Sequence, residues 1–286
     1  MDIKQLVVLA LQVAIIGTVF GFGLRATLDD VLYVLRRPGL LIRSFLAVLV
    51  VMPMLVVVFV RVFDLRMTIE VVLVALALSP VPPLLPRKET KAGGLPSFGL
   101  GLMLVMAVGA IAAIPLSAAL LSHVFERPIA MQAGAIAGIV VTMVVLPLLA
   151  GMMLRKLAPR IAYWLDSPIS WIANGLLLIG IAVLLIGTWR AIWAATGGGA
   201  VLAIVAFVAI GLLLGHLMGG PDSEHSTVLA LSTACRQPAI ALAIASSNYP
   251  DERFGGTIIL YLLVSAIAGV PYVVWQRRRM NLAAAT

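Results

Sequence analysis

Two short stretches interrupt the apolar runs of this chain: Ser79-Pro80-Val81-Pro82-Pro83-Leu84-Leu85-Pro86-Arg87-Lys88 and Ser232-Thr233-Ala234-Cys235-Arg236-Gln237-Pro238. Proline removes a backbone donor and clashes with the preceding turn, so a helix opens where it falls. Opened backbone persists at membrane depth only where it is buried in protein or lines a wet cavity. A pair of interrupted hydrophobic segments in corresponding halves of a chain points to the binding site of a secondary transporter. That membrane depth is the right frame follows from composition: 62% of residues are hydrophobic and 11% charged, with a mean hydropathy of +1.13. Apolar runs of about twenty residues match the thickness of a bilayer's hydrocarbon core.

Nine spans are expected, at roughly 5–24, 40–61, 69–93, 96–122, 129–154, 168–190, 197–219, 225–249 and 255–275, with the breaks in the third and eighth. With nine crossings, 13 of the Lys and Arg residues, including Arg25, Arg36, Arg87, Lys88, Arg155 and Arg277, fall on one face. Six fall on the other: Lys4, Arg61, Arg66, Arg127, Arg190 and Arg253. The positive-inside rule makes the first face cytoplasmic, with the N-terminus outside and the C-terminus inside, in a bacterial inner membrane. The net charge of +8 then belongs to short loops facing anionic lipid, not to a nucleic-acid surface. A retained first helix is expected over a signal peptide, because Gly-rich sequence follows it without a small-residue cleavage site. The single cysteine, Cys235, excludes an internal disulfide framework.

Spans one to four can be laid over spans six to nine, so that the two broken spans correspond and the fifth is the extra helix. Four spans followed by five give the halves opposite orientation. The expected fold is an all-α membrane protein, residues 1–286 forming one transporter unit. Its inverted repeats are 1–122 and 129–286, with two discontinuous helices crossing between them. The simpler alternative is a pair of proline kinks. Four prolines within seven residues (Pro80, Pro82, Pro83, Pro86), answered by Pro238 in the other half, favour a built break.

The order Phe22-Gly23-Leu24, Asp29-Asp30, Arg37-Pro38, Met52-Pro53, Leu78-Ser79-Pro80 and Ile114-Pro115 resembles the bile acid:sodium symporter family, over nearly the whole chain. The resemblance implies a panel domain, a core domain and two broken helices crossing in the core, without the extra first helix of ten-span members. It also implies two sodium ions held around the crossing, and there this chain departs from the pattern. The polar pair after the first break is replaced by Leu85 and Pro86. The family's glutamate aligns with Ser232, and its two glutamines with Arg236 and Val48. The fourth span, where the resemblance implies Ser and Thr ligands, has neither from Phe98 to Pro115. A hard cation wants several oxygens.

Positive charge stands in their place. Arg236 occupies a position where the resemblance implies a sodium ligand, and Arg87 and Lys88 follow the other break. An Arg at the bilayer centre costs at least ~2.5 kcal/mol on the insertion scale, so it needs partners. One reading is a structural pin, with Arg236 paired to Glu89 or to backbone carbonyls. The other is that the guanidinium does the electrostatic work of a bound sodium and attracts an anion. The two readings are compatible. The candidate crossing and substrate residues are therefore Ser79, Pro80, Pro82, Pro83, Pro86, Arg87, Lys88, Ser232, Thr233, Arg236, Gln237 and Pro238, with Glu89 as a possible charge partner.

Other signals are bland. His123 and His225 are expected in loops and His216 on a buried helix, with no metal-ligand spacing among them. No cofactor is implied. Gly197-Gly198-Gly199 lacks the Lys-Ser/Thr of a phosphate loop. Trp164, Trp171, Trp189, Trp193 and Trp275 fall near expected span ends, as interfacial anchors do. The partners this chain implies are the lipid bilayer and a small organic anion moved by alternating access. A membrane sensor or intramembrane enzyme on the same fold is the alternative, but the sequence offers no paired nucleophile and base. A channel is disfavoured because no polar face repeats along several helices.

Overall fold

The computed structural model describes residues 3–124 and 133–283. Among the described residues every regular element is helical. Helix α1 (Ile3–Arg25) is followed by a single turn, α2 (Leu28–Val31). Thr27 closes that turn with a reciprocal cap: its hydroxyl accepts from the Asp30 amide, and the Asp30 carboxylate accepts from the Thr27 amide at 2.8 Å. Helix α3 (Pro38–Phe45), a π-helical segment (Leu46–Val51) and α4 (Met52–Val62) form one rod. The third span is broken into α5 (Met67–Leu78) and α6 (Leu85–Lys91). Helix α7 (Pro96–Val124) runs unbroken through Pro115.

The second part repeats these devices. Helix α8 (Ala133–Val140), a π-segment (Val141–Val145) and α9 (Leu146–Leu157) make one rod, followed by α10 (Pro159–Ala195) and α11 (Ala200–Met218). The eighth span is broken into α12 (Ser223–Ala234) and α13 (Pro238–Asn248); α14 (Gly255–Ala268) and α15 (Val270–Ala283) complete the chain. Among the described residues eight helices are long and apolar enough to cross a membrane, and the shorter α5 precedes α6 across the first break. Residues 129–132 of the expected fifth span, and Arg127, lie outside the described residues.

Two local expectations need correction. His225 lies in the first turn of α12 rather than in a loop, because the Asp222 side chain accepts the Glu224 amide at 2.9 Å and starts the helix before it. The backbone of His123 likewise belongs to α7. The sixth span is also longer than expected, running from Pro159 through Pro168. Its first turns are held by an ion pair, Arg25 Nε to Asp166 Oδ1 at 2.7 Å, which extends the helix into polar surroundings.

Helices α1, α9 and α10 pack on one another as one bundle; the two broken spans, α7, α11 and α14 form the other. Glycine sets the closest approaches. In the first bundle a Cβ on Gly23 would lie 2.3 Å from the Leu148 carbonyl, and one on Gly151 2.4 Å from the Phe20 carbonyl. In the second, Gly211 and Gly215 of α11 and Gly219, which caps it, recur every fourth residue, and each sits against the backbone of α12. Between apolar helices in lipid, such small-residue stripes provide the close packing that hydrophobicity cannot.

Candidate functional site

Three carbonyls at the breaks lack helical partners, two of them because of proline, and all three face one point. At Val48 the ladder shifts to the π register, so the Met52 amide bonds Ala47 instead of Val48. The next candidate donor, at position 53, is a proline with no N–H. At Ser79 the residues three and four further on are Pro82 and Pro83, again without donors. At Thr233 the expected donor is the Gln237 amide, which turns away to the Pro80 carbonyl at 2.9 Å. That last bond joins the two breaks directly, so the broken helices meet backbone to backbone.

The Arg236 guanidinium fills the point where these carbonyls converge. Its Nε donates to Thr233 O at 3.1 Å, Nη1 to Ser79 O at 3.2 Å and Nη2 to Val48 O at 2.9 Å. Arg236 is 1% exposed and is the largest fully buried side chain described. Helices α5 and α12 both end here, and their C-terminal partial negative charge adds to the carbonyl dipoles facing the cation. Tyr261 on α14 completes the cage. Its hydroxyl accepts the Arg236 amide at 2.8 Å and donates to the Ala234 carbonyl at 3.2 Å, whose own helical donor would be Pro238.

The nearby hydroxyls do not point into this cage. Ser79 Oγ donates to Leu76 O at 2.8 Å and Thr233 Oγ1 to Leu229 O at 2.7 Å, each within its own helix. Ser232 Oγ donates to Glu89 Oε1 at 2.6 Å. The guanidinium thus rests on carbonyls, while the Glu89 carboxylate receives a hydroxyl from the opposite broken span. Lys88 extends its Nζ to 3.9 Å from Cys235 Sγ.

A cavity of about 970 Å³ opens beside the crossing, between α1 and α10 of one bundle and α6, α7 and α15 of the other. Arg25, Arg87, Lys88, Lys91 and Arg277 line it, opposed by Asp30 alone among acidic groups. Phe22, Leu100, Leu177, Val270 and Val273 supply apolar walls. Arg87 bridges the two bundles: its Nη1 donates to Asn174 Oδ1 on α10, and its guanidinium lies 5.7 Å from the Phe22 ring on α1. Pro86 lines the same cavity, whereas Pro82 turns back to cap α6 through its carbonyl, which accepts the Leu85 amide at 3.0 Å. Pro83 lies between them in the break. Burial works against the charged form of Asp30. Hydrogen bonds from the Ser97 hydroxyl and from the Thr27 hydroxyl and amide outweigh it and hold the carboxyl below its usual value.

Several members of the site carry weak sequence signals. Arg25, Ser170, Asn174 and Arg277 come from distant spans, and only the pairing of the bundles gathers them. Tyr261 sits in an unremarkable apolar run. The Val48 carbonyl had a usable clue in Val51-Met52-Pro53, which the second π-segment repeats with Val145-Leu146-Pro147. The tryptophans are exposed on α10 and α15. Among the described residues no group of three or more His, Cys, Asp or Glu is placed to hold a metal.

No curated protein matches the chain. The family description "Sodium Bile acid symporter family" matches residues 12–195, which include the first break, the π-segment beside it and the α1 and α10 walls of the cavity. With most of its length matched, and with discontinuous helices that meet at their breaks, this integral membrane protein belongs to the sodium bile acid symporter family, a family of transporters.

Proposed function

We propose that this chain is a secondary carrier for a small organic anion, and that Arg236 does at the crossing what bound sodium does in relatives. The observation that carries the reading is the guanidinium buried on three carbonyls without helical partners, at Val48, Ser79 and Thr233. Val48 and Arg236 are themselves positions where the resemblance implies sodium-binding side chains. A second cation 4 Å from the guanidinium would be repelled by about 4 kcal/mol at an effective dielectric of 20. That is roughly three orders of magnitude in affinity at ~1.4 kcal/mol per tenfold.

The substrate class follows from the cleft. Five cationic side chains against one carboxylate favour an anion, and the apolar walls favour an organic one. Arg87 and Lys88 reach the cavity, whereas the Arg236 donors face the backbone, so the former make the direct contacts and Arg236 acts on the core. By the positive-inside rule the cleft opens to the cytoplasm, the face carrying Arg25, Lys91 and Arg277. Its position between two bundles suits rocking of one against the other.

Uptake into proteoliposomes of radiolabelled pantoate, pyruvate and taurocholate, in sodium, potassium or choline, tests this reading. Accumulation of a probe that is equal in the three salts is expected. Uptake or thermal stability rising steeply with sodium alone would sink the fixed-cation idea.

A further inference from the structure

Glu89 stands one residue from the cleft cations yet is turned away from them into the protein, 1% exposed. Its Oε1 accepts the Ser232 hydroxyl at 2.6 Å, and its Oε2 has no hydrogen-bond partner among the described residues. The missing partner is not a matter of reach. Oε2 is packed against Gly99 of α7 so closely that a Cβ there would lie 2.4 Å from it. Glycine at that position makes room for a carboxyl oxygen and provides no donor to it.

The surrounding charges do not neutralise this group. On α6 itself, Arg87 binds Asn174, Lys88 is directed to Cys235 Sγ, and Lys91 is exposed. From the α12 side come the Ser232 hydroxyl, the Cys235 thiol and Arg236, whose guanidinium bonds end on carbonyls. Helix α7 presents Gly99, and the nearby Ser97 hydroxyl is committed to Asp30 at 2.5 Å. From α15, Arg277 donates to the Lys91 carbonyl at 2.5 Å. A buried carboxylate with one hydroxyl donor and no paired cation is far less stable than the neutral acid.

We propose that Glu89 is a proton-binding site coupled to movement of the broken helices, so that one proton travels with each anion. This rests on the anion-carrier reading above. The step is a simple protonation: a proton from water bonds to a carboxylate oxygen of Glu89 on one side of the membrane and returns to water on the other. Charge explains why the two cargoes go together. With Arg236 fixed, the core is neutral when Glu89 is ionised and no anion is bound, and neutral again when Glu89 is protonated and a monoanion is bound. The half-loaded protein can hold the proton at rest, but its core would carry a net charge as the bundles move, so only the empty and the fully loaded forms reorient readily. Ser232 ties the proton site to the second break, since it lies on α12 and Glu89 on α6.

Infrared difference spectroscopy of the purified full chain tests the site without any substrate. A protonated-carboxyl stretch is expected to persist at neutral pH in the wild type, to be lost in Glu89→Gln, and to shift in Ser232→Ala. An identical spectrum for wild type and Glu89→Gln at neutral pH would overturn the proposal. Thermal unfolding of Glu89→Gln in detergent separates a folded variant from a collapsed one, and Glu89→Asp supplies a second, titratable variant whose carboxyl band should return. In proteoliposomes, an imposed pH gradient should drive uptake of whichever probe the wild type accumulates, and Glu89→Gln should lose that drive. Retention of pH-driven uptake by Glu89→Gln overturns the coupling. If no probe is moved by the wild type, the anion reading fails, while the infrared titration still decides whether Glu89 binds the proton.

Discussion

Arg236 Nη2 donates to the Val48 carbonyl at 2.9 Å, joining the break of the eighth span to the π-segment of the second. A π-turn and a downstream proline leave that carbonyl without a helical donor, and a guanidinium from far along the chain replaces it. Removing the guanidinium exposes three buried acceptors at once.

Arg236→Gln is therefore expected to abolish sodium-free anion uptake and to lower thermal stability. Each carbonyl left without a donor costs about 1–3 kcal/mol. Arg236→Lys keeps the charge but cannot span three acceptors in the fork geometry, and should recover stability only in part. Unfolding followed by tryptophan fluorescence in detergent measures both. Undiminished sodium-free uptake by Arg236→Gln would dismiss the fixed-cation role.

Tyr261→Phe tests the cage from the other side. The phenol hydroxyl serves both the Arg236 amide and the Ala234 carbonyl, so its loss leaves two buried backbone groups unpaired. A destabilisation of about 1–3 kcal/mol for each group is expected. A variant as stable as the wild type would show that these bonds do not hold the break.

Arg87 should dominate recognition of the substrate's charge, because it lies in the cleft and bridges the two bundles. Loss of a hydrogen bond to a charged group is worth about 1.5–3 kcal/mol, so Arg87→Gln is expected to raise KM about tenfold or more. Lys91→Gln, exposed at the rim, should raise it far less. Initial uptake rates over a range of anion concentrations distinguish these outcomes.

Gly215→Ala should destabilise the chain more than Gly134→Ala. A Cβ at Gly215 would fall 2.3 Å from the Leu229 carbonyl, whereas nothing lies within 4 Å at Gly134. Backbone cannot yield as a flexible side chain does, and overpacking costs typically about 1–3 kcal/mol. Comparison of melting temperatures checks the order.

Asp30→Asn carries a pH signature. Its carboxyl titrates below the usual value when folded, so its contribution is present at neutral pH and fades as pH falls through that lowered range. The variant should melt below the wild type at neutral pH, and the gap should close in acid. A gap that stays constant with pH would show that the loss is steric rather than a loss of charge.

The amino-acid sequence by itself determined the membrane setting, the two breaks and the buried arginine. Apolar run length, proline placement and the scarcity of charge are local properties, and each has a direct physical consequence for a helix in lipid. The sequence left open whether Arg236 would meet Glu89 or backbone carbonyls, because neither spacing nor composition says which of two buried groups meets a carbonyl and which a hydroxyl. Only the tertiary structure decided that Arg236 meets Val48, 188 residues away, and that Arg87 crosses to Asn174, 87 residues away. The reason is that a freed carbonyl, like a charged side chain, is satisfied by whatever the packing brings to it. Here the glycine stripe of α11 against α12, and Gly23 against Gly151, set how closely the helices approach and so which groups meet.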